Sequence, residues 1–205
     1  MGHAVNGPRV EELTDLAEAN EVLAAAFWTD PMTRTLLGND RRNLRTVYDL
    51  VVPLMLRNPG SILFGIRDEG GLASVAVCQG PGKEMPVLPM LIRGLPLAWR
   101  IGLRQVRTLM RFDKDMRKHS PLRKHQMRLA ILGTRPDAFG RGYGAALLKR
   151  IDEHTLSQDL PNVYLEADRN GYPRRLYERH GYRVQKEFQS VAGAIVVMVK
   201  PLPTQ

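Results

Sequence analysis

The sequence predicts an α/β (α+β) fold: a central sheet with helices packed against it and a helical insertion between the third and fourth strands. Three observations lead there. Runs of strand-like composition alternate with runs of 3.6-residue periodicity, the pattern of layered α/β architectures. Two β-rich runs, residues 61–67 and 72–78, flank Asp68-Glu69-Gly70-Gly71, a strong hairpin signal. Residues 127–132, a short apolar run interrupted only by Arg128, lead through a Pro-containing turn and a glycine-rich loop into an amphipathic helix. At 205 residues the chain is expected to form one domain, residues 1–205, with its helical insertion at about 85–119.

Residues 1–8 read as a loose lead into an edge strand near 9–13. Thr14 or Asp15 is placed to cap a helix whose apolar positions are Leu16, Ala19, Leu23, Ala26 and Phe27. Asp30-Pro31 breaks that helix, a shorter one covers 32–37, and another runs over 39–56 until Asn58-Pro59-Gly60 ends it. After the hairpin, a Pro/Gly loop precedes a very basic helical stretch ending at His119. Ten Lys or Arg lie between Arg93 and Lys124, against two Asp. Trp99, Leu103, Val106 and Met110 share one helical face, and Arg100, Arg104, Arg107 and Arg111 form a neighbouring stripe. The expectation is a surface helix that buries the apolar stripe and solvates the arginines. The alternative is that the arginines border an anion site or meet an acidic surface. Beyond residue 127, the chain reads as strand, loop, helix, strand over 162–167, helix over 172–180, and two closing strands over 182–188 and 191–199.

Composition narrows the class. Hydrophobic residues at 43% and charged residues at 25% are ordinary for a globular protein, and the net charge of +9 favours an anionic partner. The single cysteine, Cys78, forms no intramolecular disulfide and reads as a buried core residue in a reducing compartment. Residues 1–20 lack an apolar signal core and no run of about 18 apolar residues exists, so a cytoplasmic location is expected. The five histidines are scattered without i,i+4 pairing or a cysteine pair, and no metal site is expected.

Gly140, Gly142 and Gly144 alternate with Arg141 and Tyr143 at a helix start. Such glycines let the backbone approach a ligand and aim free N–H groups at one point, where the helix dipole adds positive character. This is an anion site, suited to phosphate or pyrophosphate. The run from Gly140 to Ala145 formally matches the dinucleotide pattern G-x-G-x-x-G/A, with Glu166 about 20 residues on. The context does not match. Residues 134–139 separate Gly133 from Gly140, and about 60 residues remain, too few for the rest of a doubly wound sheet. A Walker loop is excluded because no Gly-Lys-Ser/Thr occurs, and no G-x-S-x-G nucleophile elbow is present.

The combination resembles the GCN5-related N-acetyltransferases (GNAT family). Its members carry a strand, a Gln/Arg-x-x-Gly-x-Gly/Ala loop and a helix that cradles the pyrophosphate of acetyl-CoA. Phe139-Gly-Arg-Gly142-Tyr-Gly144 aligns with that loop, with Phe139 where Gln or Arg is usual. Downstream, Asn170 precedes LYERHGY (176–182) at the family's Asn-to-Tyr spacing. The runs LAILGTRPDAFGRGYGAALL and LEADRNGYPRRLYERHGY look most like the puromycin N-acetyltransferase-like branch, which also carries helical material between its third and fourth strands. The resemblance spans about residues 127–185 and implies a mostly antiparallel GNAT-like sheet.

It also implies an activity: acetyl-CoA-dependent transfer to a primary amine of a small molecule by direct attack. Acetyl-CoA would be the acyl-donor cosubstrate, and Arg141, Gly142, Tyr143, Gly144 and Ala145 would hold its pyrophosphate. Leu132, Gly133 and Thr134 would line the acetyl end, with the N–H of Leu132 or Gly133 polarising the carbonyl. Asn170 would hold the CoA arm, or else cap the next helix. Tyr177 would be the general acid for the CoA thiolate, or else pack its helix on the sheet. No carboxylate lies on residues 127–134. On the next strand Val163, Leu165 and Ala167 alternate with Tyr164 and Glu166, so Glu166 is the first candidate for base or amine-orienting acid. Glu84 is the second, and water the third. Two rival readings are a non-catalytic acetyl-CoA-binding regulator, and a basic helix docking on membrane or nucleic acid. The lack of a helix-turn-helix or aromatic stacking platform argues against nucleic acid. A homodimer is compatible with all of these readings.

Overall fold

The computed structural model describes residues 8–82, 95–120 and 124–203. Its strands are β1 (Val10–Glu12), β2 (Ile62–Asp68), β3 (Gly71–Gln79), β4 (Met127–Thr134), β5 (Asn162–Asp168), β6 (Arg183–Ser190) and β7 (Gly193–Pro201). They form one sheet in the order β1-β2-β3-β4-β5-β7-β6. Every neighbouring pair is antiparallel except β4 and β5.

Local chemistry sets the helix boundaries. Asp15 caps α1 (Leu16–Phe27), accepting from the Ala17 N–H at 2.8 Å. Asp30 caps α2 (Pro31–Leu37), where Pro31 sits at the first turn and loses no helical bond. Asp40 caps α3 (Arg41–Met55). The insertion is helix α4 (Leu95–His119), broken at Gly102 by φ 81°. Helices α5 (Tyr143–Ser157) and α6 (Tyr172–Arg179) follow β4 and β5.

The sheet is covered on both faces. On one, Leu147, Leu148 and Ile151 of α5 and Tyr177 of α6 pack on Phe64, Cys78, Leu129 and Leu165. On the other, Leu23 of α1 and Val52 of α3 pack on Leu63, Val75 and Val77. Cys78 is fully buried, as its composition suggests, and burial pushes its thiol pKa up. The turn after α3 holds the end of this hairpin tightly. A Cβ on Gly80 would lie 1.9 Å from the Pro59 carbonyl oxygen. That oxygen belongs to the backbone and cannot swing aside. Gly80→Ala is therefore expected to cost about 2–4 kcal/mol, measured as a lower denaturant midpoint.

The insertion departs from expectation. Trp99 is 91% exposed, and Leu103 and Met110 are exposed as well. The face turned inward carries Ile101, Gln105, Leu109, Phe112 and Met116, each half-buried, and Leu109 packs on Leu37 and Leu44. The face that packs is the one turned toward α2, α3 and β6. Residues 85–94 of the expected insertion lie outside the described residues.

The feature that positions the site is a split in the sheet. Val77 pairs with Ile131 and Cys78 with Leu129, so Ala130 is an extra residue bulging from β4. The β4–β5 pairing ends at Leu129 and Leu165. Beyond the bulge β4 stays with β3, β5 stays with β7, and a gap opens between them.

Candidate functional site

The gap is the floor of a cleft of about 850 Å³. Leu132, Gly133 and Thr134 of β4 line it. Past the bulge, the Arg135 N–H donates to the Ala73 carbonyl of β3 at 2.8 Å. Backbone N–H groups alternate sides along a strand, so Gly133 also points its N–H toward β3. Leu132 and Thr134 point theirs toward the open gap. Of the two donors expected from the sequence, Leu132 is thus the available one. Gly133 has a different role: a Cβ there would lie 2.9 Å from Leu23 and 3.1 Å from Ala26. Its missing side chain lets the end of α1 close over β4.

The glycine loop forms the cleft's mouth. Gly140 and Gly142 hold φ of 80° and 79°, and nothing lies within 4 Å of where their Cβ atoms would stand. Gly142 caps α5 without a side-chain hydrogen bond. The Ala146 N–H is the first to bond back into the helix, to the Gly142 carbonyl at 3.1 Å. The N–H groups of Tyr143, Gly144 and Ala145 are therefore left for a ligand, and all three residues line the cleft. This is the fit a polyphosphate donor such as acetyl-CoA requires: bare backbone donors, room for close approach, and a helix N-terminus.

The opposite wall is α6, with Pro at its first turn. Tyr177 is 7% exposed, lines the cleft and packs edge-on against Tyr182 with ring centroids 5.8 Å apart. Burial raises its pKa above the ordinary phenol value, so it stays protonated. His180, at the end of α6, bonds the Leu176 carbonyl through Nδ1 at 2.8 Å. A carbonyl only accepts, so Nδ1 carries a proton.

Three predicted residues stand outside the cleft lining. Arg141 turns away, its Nη1 pairing with Asp68 at 3.1 Å and its Nη2 donating to the Asp137 carbonyl at 3.4 Å. Arg135 bridges the carboxylates of Asp68 and Asp137, each at 3.1 Å, so the loop's charge is anchored on the hairpin. Asn170 is exposed, with its N–H donating to Asp168 Oδ1 at 2.9 Å, and Gly171, not Asn170, caps α6. Glu166 does face away from the core residues of β5, as strand alternation requires. That face is covered at this point by the end of α4. Ser120 Oγ donates to one Glu166 oxygen and Arg128 Nε to the other at 3.1 Å, and the side chain is only 7% exposed. Glu166 ties the insertion to the sheet as an ion-paired carboxylate. Glu84 lies outside the described residues.

Other cleft residues escaped the sequence reading: Phe27 and Asp30 at the end of α1, Tyr172 and Arg179 of α6, and His180. Asp30 was legible only as a helix breaker, since nothing local marks it as lining a cleft. Phe139, the departure from the family loop, lines the mouth and is largely exposed, as is Tyr172.

Comparison with known proteins agrees with this architecture. Residues 110–184 match the family model described as acetyltransferase (GNAT) domain. No curated protein sequence matches the chain. Among solved structures, the fold resembles a histone acetyltransferase HPA2 and related acetyltransferase from Corynebacterium glutamicum. The TM-score is 0.65 at 21% identity, covering 97% of this chain and 98% of that one. It also resembles the PaiA N-acetyltransferase from Thermoplasma acidophilum in complex with coenzyme A, with a TM-score of 0.59 at 13% identity over 94% and 98% of the chains. A third similar structure is the Drosophila melanogaster polyamine N-acetyltransferase, with a TM-score of 0.60 at 12% identity over 95% and 100%. The acetyltransferase (GNAT) domain model thus matches the stretch that carries the two motifs, and the chain shares the fold of these acetyltransferases along nearly its whole length.

Proposed function

We propose that the protein is an acetyl-CoA-dependent N-acetyltransferase acting on a primary amine of a small molecule. One observation carries this reading. A helix N-terminus with three unengaged N–H groups opens onto a gap between diverging strands, and a protonated tyrosine stands in the gap's wall. Motif similarity further suggests the puromycin N-acetyltransferase-like branch.

Acetyl-CoA supplies an activated acyl group as its thioester. Tyr143, Gly144 and Ala145 hold its pyrophosphate through backbone N–H groups, assisted by the α5 dipole. The Leu132 N–H polarises the acetyl carbonyl in the transition state. Tyr177 gives its phenolic proton to the departing sulfur as general acid. With both Glu166 oxygens engaged, the amine releases its proton to water in the cleft. Arg141 and Asn170 act outside the cleft, Arg141 by holding the loop to the hairpin.

The test is a thiol-release assay with acetyl-CoA against small amines, aminoglycosides and amino-nucleosides, beside calorimetric titration of acetyl-CoA. Saturable thiol release with at least one acceptor is expected. Tight acetyl-CoA binding with no release for any acceptor would leave a binding protein and overturn the catalytic reading.

A further inference from the structure

The cleft draws its walls from both faces of the sheet. Leu176 and Tyr177 belong to the α6 face, while Ala26, Phe27 and Asp30 belong to the end of α1 on the other. Only the parting of β4 from β5 allows this, and Gly133 places no side chain between the two sides. The glycine loop and Tyr177 commit the α5/α6 side to the acyl donor. The acceptor must then come from the α1 side, because its nucleophilic nitrogen has to reach the acetyl carbon from a direction the donor does not fill.

The chemistry of that side is specific. Asp30 is the only carboxylate among the described residues lining the cleft. Its Oδ2 accepts from the Thr33 N–H at 2.7 Å, which fixes the carboxylate in place. Its Oδ1 takes no hydrogen bond, and no cation pairs with Asp30, among the described residues. A half-buried carboxylate without a counter-ion is unusual in a chain of net charge +9. Beside it, Phe27 offers an apolar ring, itself tilted against Tyr48 with centroids 6.2 Å apart. The Asp30 charge is felt there: after burial, it is the second cause raising the Tyr48 pKa.

Building on the acetyltransferase reading, we propose that the α1 end of the cleft is the acceptor subsite, where Asp30 pairs with the ammonium of a cationic primary amine whose organic body lies on Phe27. Asp30 draws in and orients the amine. The nitrogen that attacks has first lost its proton to water.

Asp30→Asn separates this role from helix capping, because asparagine caps as well as aspartate and keeps the acceptor for the Thr33 N–H. The measurement is thiol release at pH 7.5 with benzylamine, tyramine and 1,4-diaminobutane, which are ammonium ions there. p-Anisidine, which is neutral, is the comparison. The expected result is a ten- to hundredfold rise in KM for the cationic amines, the loss of about one charge-assisted bond. The KM values for acetyl-CoA and p-anisidine, and the melting temperature, should stay within about twofold and 2 °C. Unchanged KM for the cationic amines overturns the proposal, as does an equal loss for p-anisidine or activity confined to neutral amines. If wild type releases thiol with no amine, the catalytic reading fails separately. Calorimetry of benzylamine with the coenzyme A complex then decides for Asp30: binding lost in Asp30→Asn sustains the subsite, and binding absent from wild type or equal in both overturns it.

Discussion

Tyr177→Phe is expected to lower kcat by about two to three orders of magnitude, the range for removing a positioned general acid. The KM for acetyl-CoA should hold steady. The substitution removes one oxygen and leaves the ring in its contact with Tyr182. No protein group among the described residues holds the hydroxyl, so folding loses no hydrogen bond and thermal stability should change little. Burial raises the Tyr177 pKa, so the proton is present across the working range. The wild-type kcat profile should therefore show no alkaline loss from Tyr177 below about pH 10. Wild-type turnover in the phenylalanine variant would reduce Tyr177 to packing α6 on the sheet.

Gly142→Val should abolish donor binding more than it harms the fold. At φ 79° a β-branched residue is strained by about 1–2 kcal/mol or more, which the loop can relieve by rotating to negative φ. That rotation re-aims the N–H groups of Tyr143 and Gly144. Each charge-assisted bond lost is worth about 1.5–3 kcal/mol, so one or two lost bonds weaken acetyl-CoA binding about 10- to 10,000-fold. The space beyond Gly142 is empty of protein, so any steric conflict of the new side chain falls on the ligand. Calorimetric titration reads the effect directly. An unchanged Kd would show that the loop's N–H groups do not hold the donor.

Both predictions rest on features that short stretches of sequence carry. The glycine loop is six consecutive residues whose positive-φ positions only glycine adopts readily, and its helix begins where apolar periodicity begins. The caps at Asp15 and Asp30, the 68–71 hairpin and the alternation along β5 are equally local. They depend on φ/ψ preferences, hydrogen bonds two or three residues apart, and side-chain direction, all of which the chain determines by itself.

What the fold alone decided involves partners distant in sequence. The direction of Glu166 was legible, but its pairing with Ser120 and Arg128, 46 and 38 residues away, was not. Arg141 read as a phosphate ligand until Asp68, 73 residues earlier, claimed it. The helical insertion turned Ile101, Leu109, Phe112 and Met116 inward in place of the expected stripe, and only the position of α2, α3 and β6 selected that face. Asp30 reads as a helix breaker from its own neighbours. It becomes a cleft residue only because Gly133 lets α1 close on β4 at the place where β5 departs. Sequence therefore determined the elements and the anion-binding loop, which local backbone chemistry specifies. Tertiary structure decided which charges were neutralised and which one was left facing the cleft, because those outcomes depend on burial and on long-range pairing.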